Sequence, residues 1–272
     1  MTDLETAFAA LKRLAPNNHH AELGIIVGSG LSSIVDAVTI IQTVDYSQLE
    51  GFPQSTAPSH KGCLHIARHK NNNLVVFDGR LHMYEGWSAQ QSAMPARLAK
   101  MMGVTNLIIT NAVGSLNPDY VPGDVMLVSD HLNFTGCSPL RGENDDTLGP
   151  RFPDMSQAYS QSLQALAVSE FDRQSIPLQQ GIYAGVFGPE LETSAERRFL
   201  RLAGGDAVGM SLVMETIAAI HCGIKVMALA AVANTATGAA DQQPDNIEAV
   251  LQNAALSADK IAQVLPAILQ KI

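Results

Sequence analysis

Several short stretches bring together side chains suited to holding an anion, a proton or a polar ring. Glu190 and Glu192 stand two apart just after Gly188-Pro189, where a Gly-Pro turn ends a predicted strand over 181–187. Acids on a loop that leaves a sheet are well placed to accept hydrogen bonds from a ligand, although a lone Glu there also reads as a solvated charge. Arg80 and His82 follow a predicted strand over 74–77. Two apart at a strand end they point to one side, a guanidinium beside an imidazole, which suits a tetrahedral oxyanion. Gly28-Ser29-Gly30-Leu31 directly follows the apolar run 23–27, and its N–H groups and hydroxyl make it either a tight turn or an anion cradle. A second loop of this kind, Asn111-Ala112-Val113-Gly114-Ser115, is expected after a strand over 104–110.

The elements that must position these groups alternate along the chain. Helical spacing predicts helices over 4–14, 89–102, 157–171 and 214–222, and buried-strand runs appear at 125–128 and 226–232. Residues 51–61 form a Pro/Ser/Gly-rich loop carrying His60. Residues 130–154 show no period and are dense in Pro, Gly, Asn and Asp, and a loop of that length is usually functional or part of an interface. Asp245 and Glu248 form a capping-box pattern for a final helix whose apolar stripe runs from Ile247 to Ile268. Neither linker nor repeat divides residues 1–272, so the expectation is one α/β domain.

Composition narrows the function classes. The 272 residues carry a net charge of -9, which argues against a nucleic-acid surface. Cys63, Cys137 and Cys222 are widely spaced and odd in number, so neither a disulfide framework nor a CxxC zinc site is expected. The amino-terminal stretch carries Asp3 and Glu5 where a signal peptide would be basic, and the apolar run 226–240 is too short to span a bilayer. A cytoplasmic protein is expected. The glycine loop has Ser33 where a dinucleotide fingerprint needs glycine, and no Walker pattern occurs.

Taken together, the blocks resemble a family. GSGL at 28–31, Pro-Ser-His at 58–60, GRLHMYEG at 79–86, TNAVGS at 110–115, SDHLNF at 129–134, LRGEND at 140–145, RFPDMSQAY at 151–159, GPELET at 188–193, GDAVGMS at 205–211 and AVANTATG at 231–238 stand in the order found in trimeric-type purine nucleoside phosphorylases, the group that includes the methylthioadenosine phosphorylases. The resemblance covers nearly the whole chain. It implies a central mixed, barrel-like β-sheet surrounded by helices, a homotrimer, and phosphorolysis of purine nucleosides with inorganic phosphate as co-substrate, without metal or cofactor.

The resemblance also implies roles. Ser29, His60, Arg80, His82, Asn111, Ala112 and Ser211 match phosphate-site positions. Tyr84, Tyr183, Val208 and Met210 match nucleoside-contacting positions, Leu191 stands where Phe usually packs on the base, and Phe152 matches an aromatic lent by the neighbouring subunit. Glu192 and Asn234 match the pair that reads the purine, and with His82 they are the expected catalytic groups. Asn234 would donate to N7 as charge collects on the leaving base, while an ionised Glu192 would accept from N1–H. That pairing favours 6-oxopurines such as hypoxanthine, guanine and xanthine, because adenine has no N1 proton. Ile247 occupies a position where 6-oxopurine enzymes usually carry a sugar-binding His and the methylthioadenosine branch is apolar. Glu190 matches no role and is expected on the surface. A nucleoside hydrolase, a non-catalytic nucleoside-binding protein and a methylthioadenosine-type phosphorylase are the competing readings.

Overall fold

The computed structural model describes every residue except Met1, Asn18, Pro58, Ser59, Asp241 and Gln243, so two residues of the 58–60 block lie outside the described residues. In chain order the elements are α1 (Asp3–Leu14), β1 (Leu23–Val27), β2 (Thr39–Asp45), β3 (Cys63–His69), β4 (Asn72–Asp78), α2 (Ala89–Ser92), α3 (Met94–Met101), β5 (Asn106–Ser115), β6 (Val125–Asn133), α4 (Gln161–Arg173), β7 (Gln179–Gly185), α5 (Ser194–Leu202), β8 (Ala207–Gly209), α6 (Val213–His221), β9 (Lys225–Thr235) and α7 (Ile247–Leu269). The strands join in the order β2-β3-β4-β1-β5-β8-β7-β6-β9, and a further pairing of β9 with β5 closes the last five into a barrel. The expected mixed, barrel-like sheet is therefore present, with β1 to β4 as an open extension.

Local sequence accounts for most boundaries. Thr2 and Glu5 cap α1 reciprocally, satisfying amide groups that the first turn leaves unpaired. All five residues of β1 are apolar or Gly and buried, as expected for a parallel strand flanked on both sides. β2 is largely exposed and forms the open edge. The apolar stripe of α7 is buried from Ala254 onward against the sheet, with Ile261, Leu265 and Ile268 fully covered.

Several expectations need correction. The helix predicted over 89–102 is two helices, because Pro95 lacks the N–H that a continuous helix would use. Helix α4 starts at Gln161, later than the predicted 157. The supposed loop 111–115 is the second half of β5: it pairs with β9 residue by residue and is largely buried, so it continues as strand. β6 likewise extends to Asn133. Finally, the cap of α7 is Asn246, whose side chain accepts the N–H groups of Glu248 and Ala249. Asp245 is thereby freed for another task.

Candidate active site

One cleft of about 700 Å³, its mouth included, opens where the ends of β5, β8 and β9 meet the loops after β1, β4 and β7. Its wall includes Ser29, Arg80, His82, Tyr84, Ala112, Leu191, Glu192, Val208, Met210, Ser211 and Asn234, groups that come from distant parts of the chain. Val250 of α7 also lines it.

One end of the cleft, rich in hydrogen-bond donors, is built around Arg80, which is buried. Its Nε and Nη2 donate to the two carboxylate oxygens of Glu215 at 2.9 and 3.0 Å, and Nη1 donates to the Thr110 carbonyl at 2.8 Å. A guanidinium has five N–H donors, so the pair fixes the fork while leaving donors for a ligand. Gly28 is required here by close approach: a Cβ would lie 2.7 Å from Asn111 Cα and 2.9 Å from Arg80 Nη1. The backbone of the glycine loop thus comes right up to the guanidinium.

Two imidazoles flank this end in defined tautomers. His60 Nδ1 accepts the Arg80 N–H at 3.2 Å, so a neutral ring carries its proton on Nε2 and donates to Ser29 Oγ, 2.9 Å away. The Ser29 hydroxyl hydrogen is then free to point into the cleft. Burial, the neighbouring His82 and Arg80 lower the His60 pKa to about 4, which agrees with an acceptor role for Nδ1. His82 donates through Nδ1 to Glu85 Oε1 at 3.0 Å, leaving Nε2 for the cleft, and its ring stacks on Tyr84 at 4.6 Å. Burial raises the Glu85 carboxyl, but hydrogen bonds from His82 and Thr56 prevail and hold it at about 2.

Ser211 is set by Tyr183, whose hydroxyl accepts the Ser211 N–H and donates to the Ser211 carbonyl, both at 3.0 Å. Leu212 follows with φ 68, a sterically costly value for a non-glycine residue at the entrance to α6. That geometry turns Ser211 toward the cleft at a helix N-terminus, where anions are favoured.

At the other end, Glu192 and Asn234 face one another through two intermediaries. Asn234 Nδ2 donates to Asp245 Oδ1 at 2.6 Å, Arg197 Nη2 donates to Asp245 Oδ2 at 2.7 Å, and Arg197 Nε lies 3.6 Å from Glu192. Burial pushes the Glu192 carboxyl up, with Arg197 opposing the shift. The β5–β9 register shifts between Val113 and Gly114, so Ala233 is bulged and Asn234 pairs with Gly114. A bulge of this kind re-aims a side chain, and Gly114 admits the close approach of this segment, since a Cβ there would lie 2.8 Å from Ala236 Cβ and 3.3 Å from Asn234 Oδ1.

Some expected site residues stand elsewhere. Tyr183 is fully buried behind Ser211 and positions it; it does not line the cleft. His60 lies one layer behind Ser29. Asn111 is buried, and neither its Oδ1 nor its Nδ2 has a partner among the described residues; Ala112 is the residue of that segment on the cleft. Ile247, 65% exposed as the first residue of α7, is outside the cleft, and Val250 one turn later takes the wall position. Phe152 is 88% exposed, outside this chain's own cleft. Glu190 is exposed, as expected. The supporting residues Glu85, Arg197, Glu215 and Asp245 were not foreseen as site residues. Glu85 lies within the GRLHMYEG block, Asp245 was read as a helix cap, and Arg197 and Glu215 carried no signal in spacing.

Comparison with known proteins places this geometry. Residues 22–270 match the family model of the phosphorylase superfamily. Purine nucleoside phosphorylase 1 of Geobacillus stearothermophilus is 40% identical over 95% of this chain and 93% of its own. Crystal structures of Schistosoma mansoni purine nucleoside phosphorylase superpose with a TM-score of 0.92 in complex with inosine (33% identity, 99% of this chain, 96% of that one) and in complex with adenosine (34%, 100% and 99%).

Proposed function

From the premise that the chain belongs to the phosphorylase superfamily, and within it to the purine nucleoside phosphorylase enzymes, we propose that it cleaves 6-oxopurine ribonucleosides and 2′-deoxyribonucleosides with inorganic phosphate, releasing the free base and the sugar 1-phosphate. The observation that carries this reading is the single cleft joining an anion-holding end, Ser29, Arg80, His82 and Ser211, to a base-reading end, Glu192 and Asn234. Phosphate attack at the anomeric carbon and departure of the purine pass through an oxocarbenium-like sugar, so a nucleophile and a leaving group of opposite position must be held at once.

At the phosphate end, the two free guanidinium donors and the Ser29 and Ser211 hydroxyls donate to the anion, while His82 Nε2, the acceptor nitrogen of the neutral ring, takes the hydrogen of a phosphate P–OH. At the base end, Asn234 offers its second Nδ2 hydrogen to N7 as the purine takes up negative charge, a donor aimed at charge that develops in the transition state. Glu192 accepts from N1–H of a 6-oxopurine and has no complement in adenine. Ala112 and Met210 line the space between the ends, and Tyr84 stacked on His82 forms one side of the sugar site. Leu191 fills the place of an aromatic ring at the base, keeping contact without a ring face. Asn111 and Ala112 belong to the phosphate wall through β5, and Tyr183 acts through Ser211.

The active species in this proposal is a homotrimer in which Phe152, exposed here, closes the sugar site of a neighbour. Nucleosides and phosphate are its partners, without cofactor, metal requirement or nucleic acid. Its location is the cytoplasm, a reducing compartment that suits three free cysteines. Among the described residues no helix is long and apolar enough to cross a membrane.

A nucleoside panel assayed with and without phosphate tests the proposal. Hypoxanthine release from inosine is expected to require phosphate and to exceed adenine release from adenosine by at least a hundredfold in kcat/KM. Equal inosine turnover in phosphate-free buffer would mean hydrolysis and would end the phosphorylase reading; equal turnover of adenosine would end the 6-oxopurine assignment.

A further inference from the structure

Outside the lining of the cleft, β3 and β4 bring three ligating side chains together. Cys63 and His65 are two apart on β3 and share a face, and Asp78 is the Cα partner of Cys63 across the strand pair. All three are buried. Cys63 Sγ lies 3.4 Å from His65 Nε2, which lies 3.4 Å from Asp78 Oδ2. Among the described residues this is the one group of three such side chains whose ligand atoms all fall within 4.8 Å of one another. Spacing along the chain shows only Cys-x-His; the strand register adds the third ligand.

We infer that Cys63, His65 and Asp78 form a binding site for a zinc-class divalent cation at the β2–β3–β4 end of the sheet, separate from the nucleoside cleft.

The distances fit. Zinc bonds of about 2.3 Å to sulfur and about 2.0–2.1 Å to nitrogen or oxygen at tetrahedral angles separate S from N by about 3.5 Å and N from O by about 3.3 Å. The donors fit as well, since thiolate with imidazole selects zinc over magnesium or calcium, which want oxygen alone. A supporting shell is in place: Thr43 Oγ1 lies 2.9 Å from His65 Nδ1, and Ser32 Oγ donates to Asp78 Oδ1 at 3.4 Å. Ligating imidazoles are oriented by such a partner on their second nitrogen.

Lys61 covers Asp78 from the solvent side: its Nζ is 3.0 Å from Asp78 Oδ2 and its side chain is 56% exposed. Lys61 can therefore swing into solvent, which opens the path by which a cation reaches the ligands. Binding forms three metal–ligand bonds, releases the Cys63 thiol proton to solvent and leaves the imidazole proton on Nδ1, where the Thr43 hydroxyl accepts it. Lys61 departs still protonated. No oxidant or reductant enters.

Cobalt(II) titration of the full-length metal-free protein tests this. The expected result is a thiolate-to-cobalt charge-transfer band that saturates at one cobalt per chain and is displaced by zinc. Cys63→Ser should abolish the band, Asp78→Asn should weaken binding tenfold or more, and Cys137→Ser and Cys222→Ser should leave it unchanged. No thiolate band at tenfold excess of cobalt, or an undiminished band in Cys63→Ser, overturns the site. Should Cys63→Ser fail to fold, X-ray absorption of the zinc-loaded wild-type chain decides: one sulfur at about 2.3 Å supports the site, and a shell of nitrogen and oxygen alone refutes it.

Discussion

Asn234 has its amide orientation decided by a neighbour: with Asp245 accepting from Nδ2 at 2.6 Å, the nitrogen side is fixed and its second hydrogen is free for a ring nitrogen. Asn234→Asp would place two carboxylates at that distance, and like charges so close raise the pKa of the pair, so that one shared proton is held at higher pH than for a lone Asp. Turnover of inosine at pH 7.5 is expected to fall by about a hundredfold, the usual effect of losing one transition-state donor. The loss should shrink as pH drops, because the protonated pair can donate again, and adenosine should rise relative to inosine. A kcat/KM profile for both nucleosides from pH 5 to 8 checks this; an unchanged inosine-to-adenosine ratio would remove Asn234 from base recognition. His60 makes a stability prediction of definite sign. Its pKa is about 4 in the fold and about 6.5 in an unfolded chain, so between those values the unfolded state binds more protons. Its contribution, roughly 3 kcal/mol at neutral pH, is complete above pH 6.5 and lost as pH falls toward 4. Denaturant unfolding of wild type and His60→Gln at pH 7 and pH 5 should show a smaller pH-dependent loss in the variant, and parallel losses would contradict the neutral, hydrogen-bonded state of His60. Glu85 carries the same sign in a lower window, stabilising above about 4.5 and failing toward about 2.

At the scale of elements, α6 backs the Arg80 end of the cleft. Its first turn supplies Glu215 to Arg80, and its entrance holds Ser211 in place through Tyr183 and the left-handed Leu212. Glu215→Ala strands a buried guanidinium without its counter-charge, and breaking a buried pair in this way costs about 3–5 kcal/mol. The expected outcome is a chain that unfolds at markedly lower denaturant and binds phosphate less well, with kcat/KM for phosphate falling more than that for inosine. Unaltered phosphate dependence in a folded Glu215→Ala protein would show that the pair serves stability alone. β1, α1 and the stripe of α7 were legible because burial imposes local periods on them. Residues 111–115 were misread as a loop because Asn, Gly and Ser look like turn residues in isolation, whereas pairing with β9 keeps them extended. The order of the blocks singled out Glu192, Arg80 and Asn234, which the fold brings to one cleft. Their supports were not legible, since Arg80 and Glu215 are 135 positions apart, and the partnership of Asp245 with Asn234 depends on a β9 bulge that leaves no trace in composition. Ile247 and Val250 differ by one helical turn, a distinction decided only by where Asn246 caps α7.

On the scale of the whole molecule, the segment after β6 leaves Phe152 88% exposed to solvent, and Phe199 and Leu202 of α5 are uncovered as well. An aromatic ring held in water is an unfavourable arrangement, and burying it against a neighbour's sugar site would recover about 1.5–3 kcal/mol. Phe152→Ala should therefore leave the subunit folded and assembled while raising KM for inosine by about tenfold, equivalent to ~1.4 kcal/mol. A simple KM increase does not reveal whose cleft the ring serves, but mixed oligomers do. In a shared-site trimer, Phe152→Ala subunits would keep an intact cleft and lend nothing, and Asn234→Ala subunits would have a disabled cleft but still lend Phe152. Co-expressed, the two should assemble sites in which an intact cleft meets a neighbour's Phe152, and a fraction of the activity should return at the wild-type KM. If the mixture shows only the raised KM of the Phe152→Ala protein, the ring acts within its own chain or not at all, and the shared-site trimer is refuted.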